Sequence, residues 1–365
     1  MAIKSRLIRA VEKRWYGRPG IFWLLAPLEV LYSMIVALRR AKIHPVDIGA
    51  PVVVVGNLSV GGVGKTPIVI ALVKALRAAG LRPGVVSRGY GREDGHIRSV
   101  SASSTPAQVG DEPLLIFEQA GCPVVVGADR VAAATTLLST SDCNIVISDD
   151  GLQHVRLHRH INILVVDSSR GFGNGHCLPV GPLREPVSHL FNKDFVIQNG
   201  TQTAPHPNDA LYTEALRKHG LDAHISQLQS VGLRNLITRE VRPVSALRDL
   251  MPFTAVAAIG HPQRFFLTLK QALTDSQTPS SAQLGSFDTC TYPDHHRFIA
   301  DDFAALADTN LVMTAKDAVK CRHFARANWW CLDVEATLPE SVFEPLLGAL
   351  NRTLAQYSAK PPLAM

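Results

Sequence analysis

The chain has 365 residues, 46% hydrophobic and 19% charged, enough for two domains of ordinary size and too apolar for long disorder. Six cysteines (Cys122, Cys143, Cys177, Cys290, Cys321 and Cys331) are scattered without a C-x-x-C pair, so neither a zinc site nor a disulfide framework is indicated and the compartment is reducing. Net charge is +6, yet up to Lys42 nine basic residues stand against Glu12 and Glu29; an excess confined to one end argues against nucleic acid and for an anionic surface met by that end.

Residues 1–19 read as a basic helix with Leu7, Ile8, Val11 and Trp15 on one side, ending near Gly17-Arg18-Pro19. Residues 21–38 are almost wholly apolar, interrupted by Pro27 and Glu29 and closed by Arg39-Arg40. A carboxylate in mid-span is expensive in hydrocarbon, so a spanning helix is marginal. No small-x-small cleavage site supports a secretory signal. An interfacial helix with Trp23 and Tyr32 at headgroup depth fits the pattern, and a core helix packed on the domain is the competing reading.

Val52 to Val55, four β-branched residues, suit a strand buried on both faces. Ser59-Val60-Gly61-Gly62-Val63-Gly64-Lys65-Thr66 then reads as a triphosphate-binding loop opening a helix. The glycines let backbone N–H groups turn inward, the helix N-terminus carries partial positive charge, Lys65 reaches the β- and γ-phosphates and Thr66 holds Mg²⁺. Ser59 stands where the usual spacing has glycine.

A second strand at Pro83 to Ser87 leads to Arg88-Gly89-Tyr90-Gly91-Arg92, a basic loop that could close over a phosphorylated substrate or be a plain solvated turn. Pro123 to Val126 is a third strand. Ile145 to Ser148 is a fourth, ending in Asp149-Asp150, carboxylates at the strand end where Mg²⁺ of a nucleotide is coordinated. Ile161 to Val166 and Phe195 to Gln198 complete the block, the latter as its last strand. Strands alternating with helices predict a parallel α/β sheet. A linker with short exposed strands is expected over 227–250, and a second α/β unit starts at Phe253, with later strands at Leu311 to Thr314 and Trp329 to Val334. Thr314-Ala315-Lys316-Asp317 has its lysine one place late for a guanine-binding Thr-Lys-x-Asp, so GTP gains no support. Within Tyr292-Pro293-Asp294-His295-His296-Arg297-Phe298, Asp294 orienting His295 is more economical than a metal site, with an exposed polar turn as the alternative.

Ser-Val-Gly-Gly-Val-Gly-Lys-Thr-Pro, Ser-Arg-Gly-Tyr-Gly-Arg, Gly-Asp-Glu-Pro, Gly-Ala-Asp-Arg, Asp-Asp-Gly-Leu-Gln-His, Leu-Pro-Val-Gly-Pro-Leu-Arg-Glu-Pro and Pro-Asp-His-His, in this order from about Trp15 to Lys320, resemble the tetraacyldisaccharide 4′-kinase family of lipid A biosynthesis. Ala315 departs from the glutamate that family favours. The resemblance implies a P-loop NTPase-like parallel-sheet domain (41–226) behind a membrane-associating segment (1–40), a short β linker (227–250) and a smaller α/β domain (251–365). It implies ATP and Mg²⁺ as cofactors, an acylated disaccharide 1-phosphate as lipid substrate, and a peripheral or monotopic place on the cytoplasmic face of the inner membrane. Carried onto this chain, Ser59 to Thr66 bind triphosphate, Thr66, Asp149 and Asp150 hold metal, and Asp111 is the base, its basicity or orientation set by Asp294 and His295. Arg88, Tyr90, Arg130 and Arg184 are expected at the substrate. The rivals are a partitioning or metallochaperone-type ATPase switch, which tends to carry a lysine where this chain has Val60, and a membrane-peripheral scaffold with a degenerate nucleotide site.

Overall fold

The computed structural model describes residues 10–200, 209–275 and 287–359. Of the basic helix expected over 1–19, the first nine positions lie outside the described residues, and 10–15 are helical. Among the described residues the strands form two sheets.

The first sheet has the order β3-β4-β2-β5-β1-β6-β7-β8, with β1 Val52–Gly56, β2 Pro83–Ser87, β3 Arg98–Ser99, β4 Val124–Val126, β5 Ile145–Asp149, β6 Ile161–Asp167, β7 Phe195–Asn199 and β8 Ala223–Ser226. Every pairing is parallel except that of the short edge strand β3. β1 lies between β5 and β6 and is buried throughout, as its unbroken run of β-branched residues requires. β8 adds a strand beyond β7, where the sequence reading ended the block; its Ala-His-Ile-Ser has no apolar run to announce it, because an edge strand is half solvated.

The second sheet has the order β10-β9-β14-β13-β11-β12, with β9 Leu228–Asn235, β10 Val241–Arg242, β11 Phe253–Ala257, β12 Asp288–Thr291, β13 Asn310–Thr314 and β14 Trp329–Ala336. The expected linker is not free chain: β9 runs antiparallel along β14 from Leu228 to Asn235, and Leu233, Leu247 and Leu250 are buried in this unit's core. Leu228 and Val231 of this strand stay exposed while Leu233 is buried, so no buried apolar run marks it as more than the short exposed strand the sequence suggests.

The helices Lys65–Ala78 and Asp111–Ala120 lie between the two sheets. Ile68, Leu72 and Leu76 of the first and Leu114 and Ile116 of the second join one core with Val53 and Val55 of β1 and Met313, Trp329 and Cys331 of the second sheet. Gly20–Leu25 and Ala26–Ala41 form a different surface: none of their residues is buried, and Leu24, Val30 and Leu28 are 77%, 68% and 52% exposed. These exposures rule out the core-helix reading. Pro27 sits in the first turn of Ala26–Ala41, where it starts the helix without interrupting it. Glu29 is met by the protein: it accepts from the Cys177 N–H at 2.6 Å and pairs with His176 Nδ1 at 3.1 Å.

Candidate active site

The loop after β1 is built for close approach. Asn57, fully buried, donates from Nδ2 to the Ser59 carbonyl at 2.6 Å and accepts at Oδ1 from Lys65 Nζ at 2.9 Å. Asn199, at the end of β7, donates to the Val63 carbonyl at 2.8 Å, and a Cβ at Gly64 would meet its Nδ2 at 1.9 Å. Gly64 also has φ +81°, so no other residue fits there. Ser59 lies in a bridge to Leu183, with no left-handed backbone angle to demand the missing glycine. The Val60 N–H donates to the Pro182 carbonyl at 2.8 Å, and at Gly62 no atom lies within 4 Å of an added Cβ, leaving the bend open to a ligand. Lys65, Thr66 and Pro67 open the following helix, whose N-terminus favours a polyphosphate.

Asp149 ends β5 in register with Val55 of β1, which places it beside this loop. It is 2% exposed and accepts from Ser87 Oγ at 3.0 Å. Burial, with Glu112 nearby, raises its carboxyl against the pull of Lys65. Asp150 has φ +51°, a conformation Asp tolerates at some cost, and turns its oxygens to Lys65 Nζ and Arg184 Nη1, each at 3.2 Å. Burial works to raise Asp150, but these two cations outweigh it and hold the carboxyl below its ordinary value. Among the described residues no group of three or more His, Cys, Asp or Glu gathers to hold a metal. Two carboxylates and the Thr66 hydroxyl nonetheless fit Mg²⁺, which takes few protein ligands and completes its shell with phosphate oxygens and water.

Across the cleft, the second unit reaches Asp111. Asp111 heads the helix Asp111–Ala120 and is 5% exposed; its Oδ2 is 3.0 Å from His295 Nδ1. His295 has φ +58°, and its ring lies 4.9 Å from that of Tyr90. The orienting partner of the ring is therefore Asp111 itself. Asp294 accepts from the His295 backbone N–H at 3.0 Å while its carboxylate stays 3.9 Å from Nε2, so the expected Asp294–His295 ring bond is replaced by a backbone one. Burial tends to raise the Asp111 carboxyl, but the His295 hydrogen bond and Lys316 outweigh it and leave it lowered; the contact with Asp111 raises His295. The pair thus fixes the orientation of Asp111 and lowers its basicity, contrary to the raised basicity that was one expectation.

Arg130 is 3% exposed; its Nη1 donates to the Gly127 carbonyl, while Nε and Nη2 are buried without a hydrogen-bond partner. Burial lowers it to about 10, against the attraction of Asp149 and Asp150, with Arg88 and Arg92 adding repulsion. Arg130 and Arg184 are in this way gathered at the Asp149-Asp150 pair, with Arg88 near Arg130 and Tyr90 beside His295. The loop carrying Arg88 and Tyr90 touches the second unit, since Arg297 donates to the Gly91 carbonyl at 2.8 Å and pairs with Glu93 at 3.0 Å.

Sequence reasoning missed Lys316. Its Nζ lies 2.9 Å from Glu112, 3.4 Å from His295 Nε2, and 3.9 Å from both Asp111 and Asp294. The available signal was its place in Thr-Ala-Lys-Asp, where Thr314 caps the helix Ala315–Cys321 and the neighbouring Asp317 is fully buried, accepting from the Ala258 N–H at 2.9 Å. Ala315 itself is buried in the shared core.

Comparison with known proteins accords with this arrangement. The family model described as LpxK, Tetraacyldisaccharide-1-P 4'-kinase, matches residues 21–351. A tetraacyldisaccharide 4'-kinase of Nitrosococcus oceani is 42% identical over 97% of this chain and 96% of its own length. The enzyme so named from Aeromonas hydrophila subsp. hydrophila is 43% identical over 93% and 96%. In fold, the chain is similar to LpxK from Aquifex aeolicus, solved in complex with ATP, at a TM-score of 0.70 and 24% identity, covering 92% of this chain and 99% of that one. With the phosphate loop, the paired carboxylates and the match across 21–351 together, this chain belongs to the tetraacyldisaccharide-1-P 4'-kinase family.

Proposed function

We propose that this protein transfers the γ-phosphoryl group of ATP to the 4′-hydroxyl of a tetraacyl glucosamine disaccharide 1-phosphate, forming lipid IVA for lipopolysaccharide, at the cytoplasmic face of the inner membrane. The observation that carries the reading is the 3.0 Å contact between Asp111, at the head of a helix packed between the sheets, and His295 of the second unit, next to Glu112, which acts on Asp149 at the end of β5. Lys65 leaves Asp150 for the β- and γ-phosphates, and Arg130, with two donor nitrogens unused, meets charge on the transferred group. Mg²⁺, when bound, neutralises phosphate charge; Thr66, Asp149 and Asp150 are the residues to hold it. Asp111 takes the proton of the 4′-hydroxyl as its oxygen bonds to phosphorus and ADP departs. Its lowered basicity suits a loose transition state, in which the proton leaves late, once the oxygen has lost its electron density to phosphorus. The exposed apolar face of Ala26–Ala41, closed by Arg39, lies in the interface, that cation toward anionic headgroups, while Arg40 turns inward to Glu185.

The test is purified protein with ATP, Mg²⁺ and the acylated disaccharide 1-phosphate in mixed micelles, followed by mass spectrometry of the lipid. A bis-phosphorylated product is expected. ATP hydrolysis that leaves the lipid unchanged would instead favour a nucleotide-driven switch.

A further inference from the structure

Asp111 and His295 form one end of a recess of about 270 Å³ that both units line. The first unit contributes Tyr90 and Ala107, the second Phe298 and Phe324. The two phenylalanines belong to an aromatic cluster: the Phe298 ring lies 5.0 Å from Tyr292 and 5.1 Å from Phe303, and that of Phe324 lies 6.0 Å from Trp329. Arg297 and Lys320 also line the recess, yet both are already paired, Arg297 with Glu93 at 3.0 Å and Lys320 Nζ with Asp317 Oδ1 at 2.7 Å. Aromatic walls whose cations are matched, ending on the Asp111 carboxylate, disfavour a free anion and favour a neutral apolar group. The volume falls just below that of ordinary small-molecule sites, about 300 to 1,000 Å³, so the recess takes a part of a larger molecule.

We propose that this recess receives the acyl chain on the 3′-oxygen of the acceptor, next to the hydroxyl that is phosphorylated, and that Ala107 and Phe324 limit the chain length it accepts. The assignment rests on the kinase reading above. A 4′-hydroxyl within reach of Asp111 brings its own sugar with it, and the chain esterified at the neighbouring 3′-oxygen starts beside the reacting atom. That chain needs an apolar surface close to Asp111, which the recess supplies. Tyr90, 64% exposed with its ring 4.9 Å from that of His295, stands where the sugar would turn into it. Because Arg297 of the second unit also donates to the Gly91 carbonyl at 2.8 Å, the wall is complete only while the two units are apposed.

The experiment uses three disaccharide 1-phosphates in neutral-detergent micelles, alike except that the 3′-oxygen carries a long acyl chain, one of intermediate length, or an acetyl group. Steady-state kinetics, and binding without ATP, are read for the wild type, Ala107→Phe, Ala107→Leu and Phe324→Leu. Ala107→Phe should lower kcat/KM for the long-chain acceptor about 10- to 100-fold, the order expected when a few methylenes are kept out of an apolar site. The loss should lie mainly in KM, since the chain is held alike in ground and transition states, and should shrink with chain length. Ala107→Leu should show a smaller loss of the same kind, and it carries the reading should Ala107→Phe not fold. Phe324→Leu should move the preference toward the longer chain. Equal loss on all three acceptors, or a chain-length profile that no substitution moves, would overturn the site. A further arm adds a free long-chain fatty acid: if it binds the wild type and not Ala107→Phe while the acceptor profile stays put, the recess serves a separate amphiphile and the assignment fails. If the wild type phosphorylates none of the acceptors, the kinase reading falls and binding decides the recess. A long-chain preference lost in Ala107→Phe would sustain it, and the lack of one would overturn it.

Discussion

Replacing Lys316 with methionine keeps the length of the side chain and removes the one cation that Asp111, Glu112 and Asp294 share. At the 3.9 Å separation from Asp111, 332/(εr) gives about 1 kcal/mol at the permittivity of water and about 4 kcal/mol at an effective value near 20. The ammonium is mostly shielded from solvent, its side chain 18% exposed, so the larger figure is the upper bound and the smaller the floor. If this attraction is realised mainly when the two sheets close on substrate, its loss lowers kcat/KM by roughly 5- to 1,000-fold. Nucleotide affinity should change little, because Lys65 and Thr66 are untouched. The acid limb of the kcat/KM profile should also move to higher pH, because Asp111 loses a cation that lowers it. The assay is steady-state kinetics on micellar acceptor from pH 4 to 9, with ATP affinity measured separately. Wild-type kcat/KM together with an unmoved acid limb would refute the claim that Lys316 acts on Asp111, and would leave it a strut between Glu112 and the second sheet.

Asp111→Asn should cost about 10²- to 10⁴-fold in kcat, and adding His295→Ala should cost far less than the product of the two single effects, since both act through one contact; independent multiplication would separate them. Lys65→Ala should lower kcat steeply by removing a point charge from the β- and γ-phosphates, and wild-type turnover in this variant would discard the phosphate-loop reading. Deleting residues 1–41 should weaken partition into anionic vesicles while leaving ATP binding intact; equal partition of the folded truncated and full-length chains would place the membrane contact elsewhere. The His295–Asp111 pair should add stability in a bounded window. His295 is raised, so its share is full below its unfolded value and is lost as pH climbs through the raised one; Asp111 is lowered, so its share is lost as pH falls through the lowered value. Thermal melts of wild type and His295→Gln should therefore differ most in weakly acidic buffer and converge above neutrality, and a gap that widens with pH would contradict the assignment.

What could be read from the chain alone followed local pattern. Val52 to Val55 announce a central strand because both faces must be apolar, and Gly61, Gly62, Gly64, Lys65 and Thr66 announce a phosphate loop because only that order of strand, tight bend and helix makes use of them. β8 and β12 gave no such signal, and β9 was legible only as a short exposed strand of a linker. β12 reads Asp-Thr-Cys-Thr at the sheet edge, and β9 becomes a strand only through its partner β14, a hundred residues later in the chain. The same limit hid Lys316, whose contact with Glu112 spans 204 residues, and misplaced the bond of Asp294, which lies next to His295 in sequence while the ring turns to a residue 184 positions away. Adjacent residues are easily paired on paper, and it took the packed helices to bring in the distant partner.

Those helices also account for the presence of a second sheet. Lys65–Ala78 and Asp111–Ala120 each begin at a residue of the site, one with the lysine and threonine of the phosphate loop and the other with Asp111, the proposed base. Both lie with their apolar faces shared between the sheets, in a core that includes Leu72, Leu114, Met313 and Trp329. Polar bonds pin them further along: Lys74 to Glu335 and Gln119 to Asp333 both tie to β14. Close packing makes such a core stiff to small displacements, so the separation of the two helix N-termini is fixed by how β14 and β13 seat against them. β13 in turn runs directly into Thr314 and Lys316. The second sheet therefore spaces the phosphate loop and Asp111 through its core, and reaches Asp111 again through Lys316 and His295, so a shift of that sheet moves the charge around Asp111 and its distance from Lys65 together.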